Sequence, residues 1–525
     1  MTFLPCPFAF PRSAPGSPLK RFPRPRLLLL PPKARSVVDA SFSSKKFSAG
    51  HFLDSASSSM AMKICCNNVA TCLVRSKEAR PEEAALPRVE KMLVGSIEKL
   101  QSGASVDAEE ASFIAKLVYD SMTTGGRVYH AMQHVFDISK TMEDPILVLS
   151  ALFHDVVYYS IDKGFIRAQQ EIIKDIVVSE GEQLFITSDF NGDQLMEKYV
   201  KVYGFTPGEP VPKLGTNEFI SGVIGIKILS KWLSESQLKQ VAACIEATIP
   251  FRPVVNDKTP MDRLYDRLKS VCPDQSEEWL VATIHKAAAT ANFDLCSFDS
   301  EDRNFFLDSS WKLIPEARPA LLDEDCPLLE WMNELKALEG RTIFLKGNVH
   351  KIFQGFRQVP SEEEMAEKQR KTHDNLDVMW EYGKVRQLQA MVLVAVVEAM
   401  GENPASFPLR SCLTMDVPGL VLEARDPLTP TEQEVRNWLV GGRRACFGWD
   451  PAISPLGAYL FDSLGPAGIA EATEIGKNQK HGSHDLLKFL PKEVVVTVSA
   501  RLGAVFTDRA EGFYQVPEKL GILAQ

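Results

Sequence analysis

Two histidines four residues apart, His130 and His134, stand in Arg127-Val-Tyr-His-Ala-Met-Gln-His-Val-Phe-Asp-Ile138, and Phe153-His154-Asp155 follows a short way along. If residues 127–142 form the helix their pattern predicts, the two rings lie on one face, about 40° apart at ~3.6 residues per turn. His154-Asp155 interrupts an otherwise apolar run from Ile146 to Tyr159. A helix that is apolar all round is buried, and a bare carboxylate there would cost several kcal/mol unless a cation or a metal ion sits beside it. Neutral imidazoles and carboxylates bind divalent ions while leaving positions open for water and substrate. A hydrolytic metal centre is the economical reading.

Such a centre needs a closing carboxylate from a distant helix. Asp294 is the best candidate, because the small residues of Ala287-Ala-Ala-Thr-Ala-Asn-Phe-Asp294 let that helix come close. His285, nine residues earlier, lies about 180° round the same helix and faces away. Asp137 sits seven after His130 on the predicted helix and is placed to orient that ring, with a solvent-facing acid as the plainer reading. Arg127 is a candidate phosphate ligand or a surface arginine. Glu246-Ala-Thr248 is either pocket wall or core, and Tyr158 and Tyr159 read as core.

The elements that must hold these residues are helical. Asp107-Ala-Glu-Glu110 has the form of a capping box and opens a helix through Met122. Thr123-Thr-Gly-Gly126 breaks the chain before the histidine helix, and Asp144-Pro145 supplies an N-cap and a first-turn proline for the His154-Asp155 helix. Residues 164–215 read as an insertion, with a helix around 165–178 and then a loop. Helical periodicity resumes at 217–233, 235–248 and 276–298, and no run of alternating strands is visible, so the expected fold class is all-α. Ser361-Glu-Glu-Glu364 starts a further, charged helix that passes into Met391–Val397, while 403–455 is Pro-rich and irregular and Lys492–Ser499 is a strand or a buried helix. The expected organisation is a leader and linker over 1–78, a metal-binding helical domain over 79–340, and a mainly helical region over 341–525.

A chain of 525 residues exceeds a single compact core. Its net charge of −9 argues against a general nucleic-acid or anionic-membrane binder. The near-continuous apolar stretch 145–161 carries His154-Asp155 at its centre, which is costly in lipid, so no transmembrane helix is expected. The 10 cysteines include no Cys-x-x-Cys pair, which favours a reducing compartment over a disulfide framework. Cys65-Cys66 with Cys72 lacks the rest of a metal-ligand set. The first fifty residues are basic and rich in Ser and Pro, with Asp39 as their sole acid. That composition reads as an organellar transit peptide, plastid before mitochondrion, or else as a disordered tail on a cytoplasmic protein.

The pattern of a histidine, an adjacent His-Asp pair and a later aspartate resembles the HD superfamily of metal-dependent phosphohydrolases. Tyr129-His130-Ala-Met-Gln-His134-Val-Phe-Asp137-Ile138 is similar to the Tyr-His-Asn…His…Asp-Val stretch of class I cyclic nucleotide phosphodiesterases. It also resembles the opening of small bacterial predicted HD phosphohydrolases, in which Phe-His-Asp is followed by Val-Tyr, as at Val157-Tyr158, and then by an Asn-Glu…Ser signature, as at Asn217-Glu218 and Ser221. The resemblance covers roughly residues 80–300 and implies an HD-type helical bundle. It implies that His134, His154, Asp155 and Asp294 hold a first divalent ion (Zn, Mn, Fe or Mg), and that Asp155 bridges to a second. His130 would be the general acid. Glu218, near a helix start after Thr216, is a candidate active-site base or water-positioning group, or simply an acid that the helix macrodipole favours there. The implied activity is cleavage of a small phosphate mono- or diester, nucleotides among them, by a metal-bound hydroxide. The phosphodiesterases have His-Pro-Gly after their His-Asp pair where this chain has Val157-Tyr158-Tyr159, and no purine-gripping Gln-Phe pattern is present, which favours the broad phosphohydrolase reading over a cyclic-nucleotide one. The competing expectation is a non-catalytic HD-fold module that binds a ligand or regulates a partner. Metal content and turnover separate the two.

Overall fold

The structure is a computed structural model, and it describes residues 81–101, 103, 105–181, 183–413, 427–478 and 482–523. The expectations for residues 1–78, including the basic leader and Cys65-Cys66-Cys72, lie outside the described residues.

Local signals start the helices where the sequence places them. Helix α1 (Pro81–Leu100) is followed by α2 (Ala108–Met122), whose N-cap Asp107 accepts the Glu109 and Glu110 N–H groups at 2.9 and 3.2 Å. The histidine helix is shorter than expected. Its helical part, α3 (Met132–Ile138), begins only after His130, because 127–131 runs through bends that spend their N–H groups elsewhere. Helix α4 (Pro145–Phe153) is capped by Asp144, which accepts the Ile146 N–H at 2.8 Å, and it ends at His154.

The insertion holds more structure than one helix and a loop. It contains α5 (Tyr159–Asp162), α6 (Arg167–Ile173), the antiparallel pair β1 (Val177–Glu180) and β2 (Gln183–Ile186), and α7 (Gln194–Tyr203). Val177 lies opposite Ile186 and Glu180 opposite Gln183. Next come α8 (Thr216–Leu229), α9 (Glu235–Ala247), α10 (Pro260–Val271) and α11 (Glu277–Asp294). Helix α8 crosses its neighbours closely, and two glycines permit it. A Cβ at Gly225 would stand 3.0 Å from the Phe153 side chain, and one at Gly222 would collide with the Tyr199 hydroxyl. This close approach brings α8 against the end of α4, where His154 sits.

A second set of helices follows: α12 (Arg303–Ala317), α13 (Leu328–Gly347), α14 (Glu362–Met400), α15 (Leu409–Leu413), α16 (Pro430–Gly441), α17 (Pro455–Lys477), α18 (Gly482–Phe489), α19 (Lys492–Val505), α20 (Ala510–Tyr514) and α21 (Val516–Lys519). Ser361 and Glu364 form the expected capping box at the start of α14, at 3.2 and 2.8 Å. From Leu388 to Val397 that helix is buried all round and forms the axis of a second core, with α13, α17, α18 and α19 packed against it. The Pro-rich stretch is less irregular than its composition suggests, since Thr429 and Glu432 cap α16 reciprocally. Lys492–Ser499 is helical. Among the described residues the sole sheet is the two-stranded one, and the fold class is all-α. No described helix is long and apolar enough to cross a membrane.

The apolar cores change over near residue 295 rather than at 340. The first gathers side chains from Ala85 to Ala291 with Phe356, and the second gathers those from Phe298 to Val516. Helices α12 and α13 therefore pack with the C-terminal region. Trp311 and Trp331, one on each, are fully buried there. A chain ended at residue 340 would strip α14 from both indoles and expose a large apolar face. Size-exclusion chromatography of residues 79–340 should show aggregate rather than monomer, and a soluble monomer with a cooperative denaturation curve would contradict this division of the core.

Candidate metal centre

His154 ends α4 in a fully buried position, and its backbone sets what its ring can do. Nδ1 donates to the Ala151 carbonyl at 2.9 Å, so in the neutral ring Nε2 carries a bare lone pair. That nitrogen has no hydrogen-bond partner, yet it stands 3.0 Å from Asp155 Oδ2 and 3.4 Å from Asp294 Oδ1. A lone pair facing two carboxylates is repulsive unless positive charge lies between them. His134, reaching in from α3, places Nε2 at 2.9 Å from Asp294 Oδ1 and 3.9 Å from Asp155 Oδ2. Asp294 is the last residue of α11. The two imidazoles and two carboxylates each offer a ligand atom, all within 4.8 Å of one another. The sequence-predicted ligand set of His134, His154, Asp155 and Asp294 is thus brought together from three helices and the turn that follows α4.

The electrostatics tell the same story. Burial works against a charged His154, but Asp155 and then Asp294 outweigh it and raise the ring's pKa well above its usual range. Burial likewise opposes ionisation of Asp294, yet contacts from His134 and His154 bring it down to about 2. Asp155 is lowered too, against burial and chiefly by His154. With protons as the only cations, protons must gather at the site to balance the carboxylates, and His154 is where they are held. A divalent ion supplies the same positive charge at the same place and releases those protons. The donor set, the orphaned Nε2 and the fixed tautomer all fit a divalent metal.

His130 is not one of the four. It lies in the bends before α3, so it and His134 do not share a helix face as the spacing suggested. Their ring centroids are 6.0 Å apart. Its partner is Glu316, buried on α12. Glu316 Oε1 accepts the backbone N–H groups of Val128, Tyr129 and His130 at 2.8, 2.8 and 3.0 Å, and Oε2 lies 2.7 Å from His130 Nδ1. One carboxylate therefore folds the 128–130 bend and aims the ring. Burial pulls the His130 pKa down, but Glu316 overrides it and the value is raised. Asp137, expected to orient His130, instead accepts from Gln133 at 2.7 Å on the exposed side of α3. Sequence reasoning missed Glu316. It lies 186 residues from His130, and nothing in its neighbourhood marks it except that it is an acid on a helix with one apolar face.

The remaining candidates sort into supports and neighbours. Arg127 is buried and committed, donating to both Asp162 oxygens at 2.7 and 2.6 Å and to the Asp155 carbonyl. It has no role left for a phosphate and instead pins the backbone of a metal ligand. Asn217 accepts the Tyr159 N–H at 3.0 Å and Ser221 accepts the Val157 N–H at 2.9 Å. Two residues of the Asn-Glu…Ser signature therefore tie the turn after His154-Asp155 to α8. Glu218, between them, is half-buried, and its pKa is raised to about 7 by burial, with the charges of Asp155 and Asp294 adding to it. Tyr158 stacks obliquely on His130 at 4.5 Å. Glu246 is buried in ion pairs with Arg252 and Arg267 and is structural. His285 turns away from the site and meets the Phe356 carbonyl at 3.1 Å.

The His130–Glu316 pair makes a testable statement about pH. Glu316 is lowered, against burial, by His130 and by the backbone N–H groups, so its share of stability is complete above the ordinary glutamate value of about 4.3 and is lost as pH falls through its depressed value. The share of His130 is complete below about pH 6.5 and is lost as pH rises through its raised value. Glu316→Gln removes the largest opposing charge and leaves burial countered only by Asp155 and Asp294, so the His130 midpoint should fall below that of the wild type in an NMR titration of its ring protons. An unchanged midpoint would show that Glu316 does not control the ring. As for kinship, no protein-family model matches the chain, and no curated protein or solved structure does either.

Proposed function

We propose that this chain is a metal-dependent phosphohydrolase acting on a small phosphate mono- or diester, nucleotides among the candidates. The observation that carries the reading is His154 Nε2, a buried nitrogen with its tautomer fixed from behind and two carboxylates in front of it. The chemistry that a divalent ion supplies when bound there is Lewis-acid neutralisation of phosphoryl oxygens and a lowered pKa for water. His134, His154, Asp155 and Asp294 hold the ion. His130, kept protonated by Glu316, donates to the oxygen of the leaving group. Glu218 sits in the field of the same carboxylates, and beside a divalent charge its proton is held less tightly, which suits it to accept a proton from the attacking water. A module that only bound a ligand would have no need of a His130–Glu316 dyad next to four side chains able to hold a metal.

Two substitutions separate holding the ion from moving a proton. His134→Ala should lose metal, by elemental analysis, and turnover together. His130→Ala should keep its metal and lose about 10²–10⁴-fold in rate, the usual worth of general acid catalysis. The loss should shrink on a nitrophenyl ester, whose leaving group needs little protonation. A wild-type protein that takes up no stoichiometric ion when Zn, Mn, Fe and Mg are each supplied would end this reading.

A further inference from the structure

Helix α8 meets the metal centre with its first residues. Asn217 and Ser221 fasten the turn after Asp155, and Glu218 lies between them. The neighbouring helices start at side-chain caps: Asp107, Asp144, Ser234, Thr259 and Ser276 each accept a first-turn N–H of α2, α4, α9, α10 and α11 in turn. Helix α8 starts at Gly215, which is in the left-handed region (φ 91°) and has no side chain to accept one. An uncapped first turn leaves N–H groups unpaired and opens more readily than the helix behind it.

The hold comes instead from the insertion. Tyr203 and Tyr199, one turn apart on α7 and both buried, donate from their hydroxyls to the Glu218 and Phe219 carbonyls at 2.9 and 2.8 Å. The fully buried Phe219 ring lies against Tyr199, Tyr203 and Phe205, with centroids 5.6, 5.3 and 5.1 Å away. Gly222 makes room for both hydroxyls, since a Cβ there would stand 3.0 Å from that of Tyr203 and nearer still to that of Tyr199. The same end of α7 is fixed from behind. Arg267 donates from Nε to the Val202 carbonyl at 2.7 Å and pairs through Nη2 with the buried Glu246. A buried tyrosine needs an acceptor wherever it lies. These two take consecutive carbonyls of one turn, the turn that has no cap of its own.

Resting on the phosphohydrolase reading above, in which Glu218 accepts the proton of the attacking water, we propose that Tyr203 and Tyr199 are positioning residues for Glu218, and that the 164–215 insertion serves the reaction through them. A proton acceptor misplaced by about 1 Å loses on the order of 10²-fold in rate. The two hydroxyls and the Phe219 ring fix the backbone of that acceptor from the side opposite Asn217 and Ser221, so the turn is gripped on both faces.

A double-mutant cycle on the metal-loaded full-length protein tests this, with p-nitrophenyl phosphate and bis(p-nitrophenyl) phosphate as substrates. Tyr203→Phe keeps the ring in its aromatic cluster and removes the donor alone. It should lower kcat about fivefold, the scale of one hydrogen bond, with KM and metal content as in wild type. In a Glu218→Gln background the same substitution should change kcat by less than about twofold, because nothing is left to position. A tyrosine that only stabilised the core would cost the same in both backgrounds. Hydrogen exchange of the metal-free protein gives a readout apart from turnover: amides 218–222 should exchange about fivefold faster in Tyr203→Phe, with those of α14 unchanged. An unchanged kcat, an equal loss in both backgrounds or unaltered exchange in that turn overturns the role of the tyrosines and leaves the phosphohydrolase reading standing. If the metal-loaded wild type hydrolyses neither ester, both fall.

Discussion

Two carboxylates, the buried Asp155 and the half-buried Asp294, stand close together with the bare nitrogen of a third side chain pointed at both of them. Like charges in a poorly hydrated site cannot both ionise without compensation. The surrounding architecture serves to hold them there regardless. Arg127 is bound to the Asp155 carbonyl, α8 approaches through its glycines, and Ser221 and Asn217 fasten the turn that follows. Each of these contacts fixes backbone rather than neutralising the carboxylates, so the missing positive charge must come from imidazolium protons or from a metal ion. This is the arrangement expected where binding of a cation, and not its own stability, decided which groups are buried.

The second constraint joins the two cores. Helix α12 belongs to the C-terminal core by its apolar face, yet its polar face carries the residue that shapes the 128–130 bend and orients His130. The C-terminal region thus has a structural part in the site even though the four candidate metal ligands all precede residue 295. The buried axis of α14 sets where α12 lies, and through Glu316 it sets the direction of a ring more than two hundred residues earlier in the chain. A displacement of that core would first be felt at His130, while His134, His154, Asp155 and Asp294, held by the N-terminal helices, would stay in place.

How much of this could be read in advance follows from the range of each signal. The caps at Asp107, Asp144 and Ser361 are local, because a side chain that accepts the first-turn N–H groups is chosen within three residues of them. The His154-Asp155 pair was legible because a polar pair inside an apolar run must be compensated wherever that run is buried. Asp294 was legible from the small residues before it, which permit close approach. The helix over 430–441 was hidden by its proline-rich setting, although its Thr429 cap and first-turn proline are themselves helix signals.

By itself, then, the sequence determined the all-α class, most helix starts and the identity of four side chains able to share a cation, since these depend on neighbours along the chain or on the cost of burying charge. The tertiary structure alone decided that His130 stands outside its helix, that Arg127 is locked to Asp162 instead of facing a ligand, and that Glu316 forms a wall of the site. The Arg127 pairing depends on where the 159–162 helix lies, and the other two outcomes turn on which surface of α12 faces the 127–134 segment. That is settled by the packing of Trp311 and its neighbours in a core assembled from the other end of the chain, and no local pattern near His130 carries a trace of it.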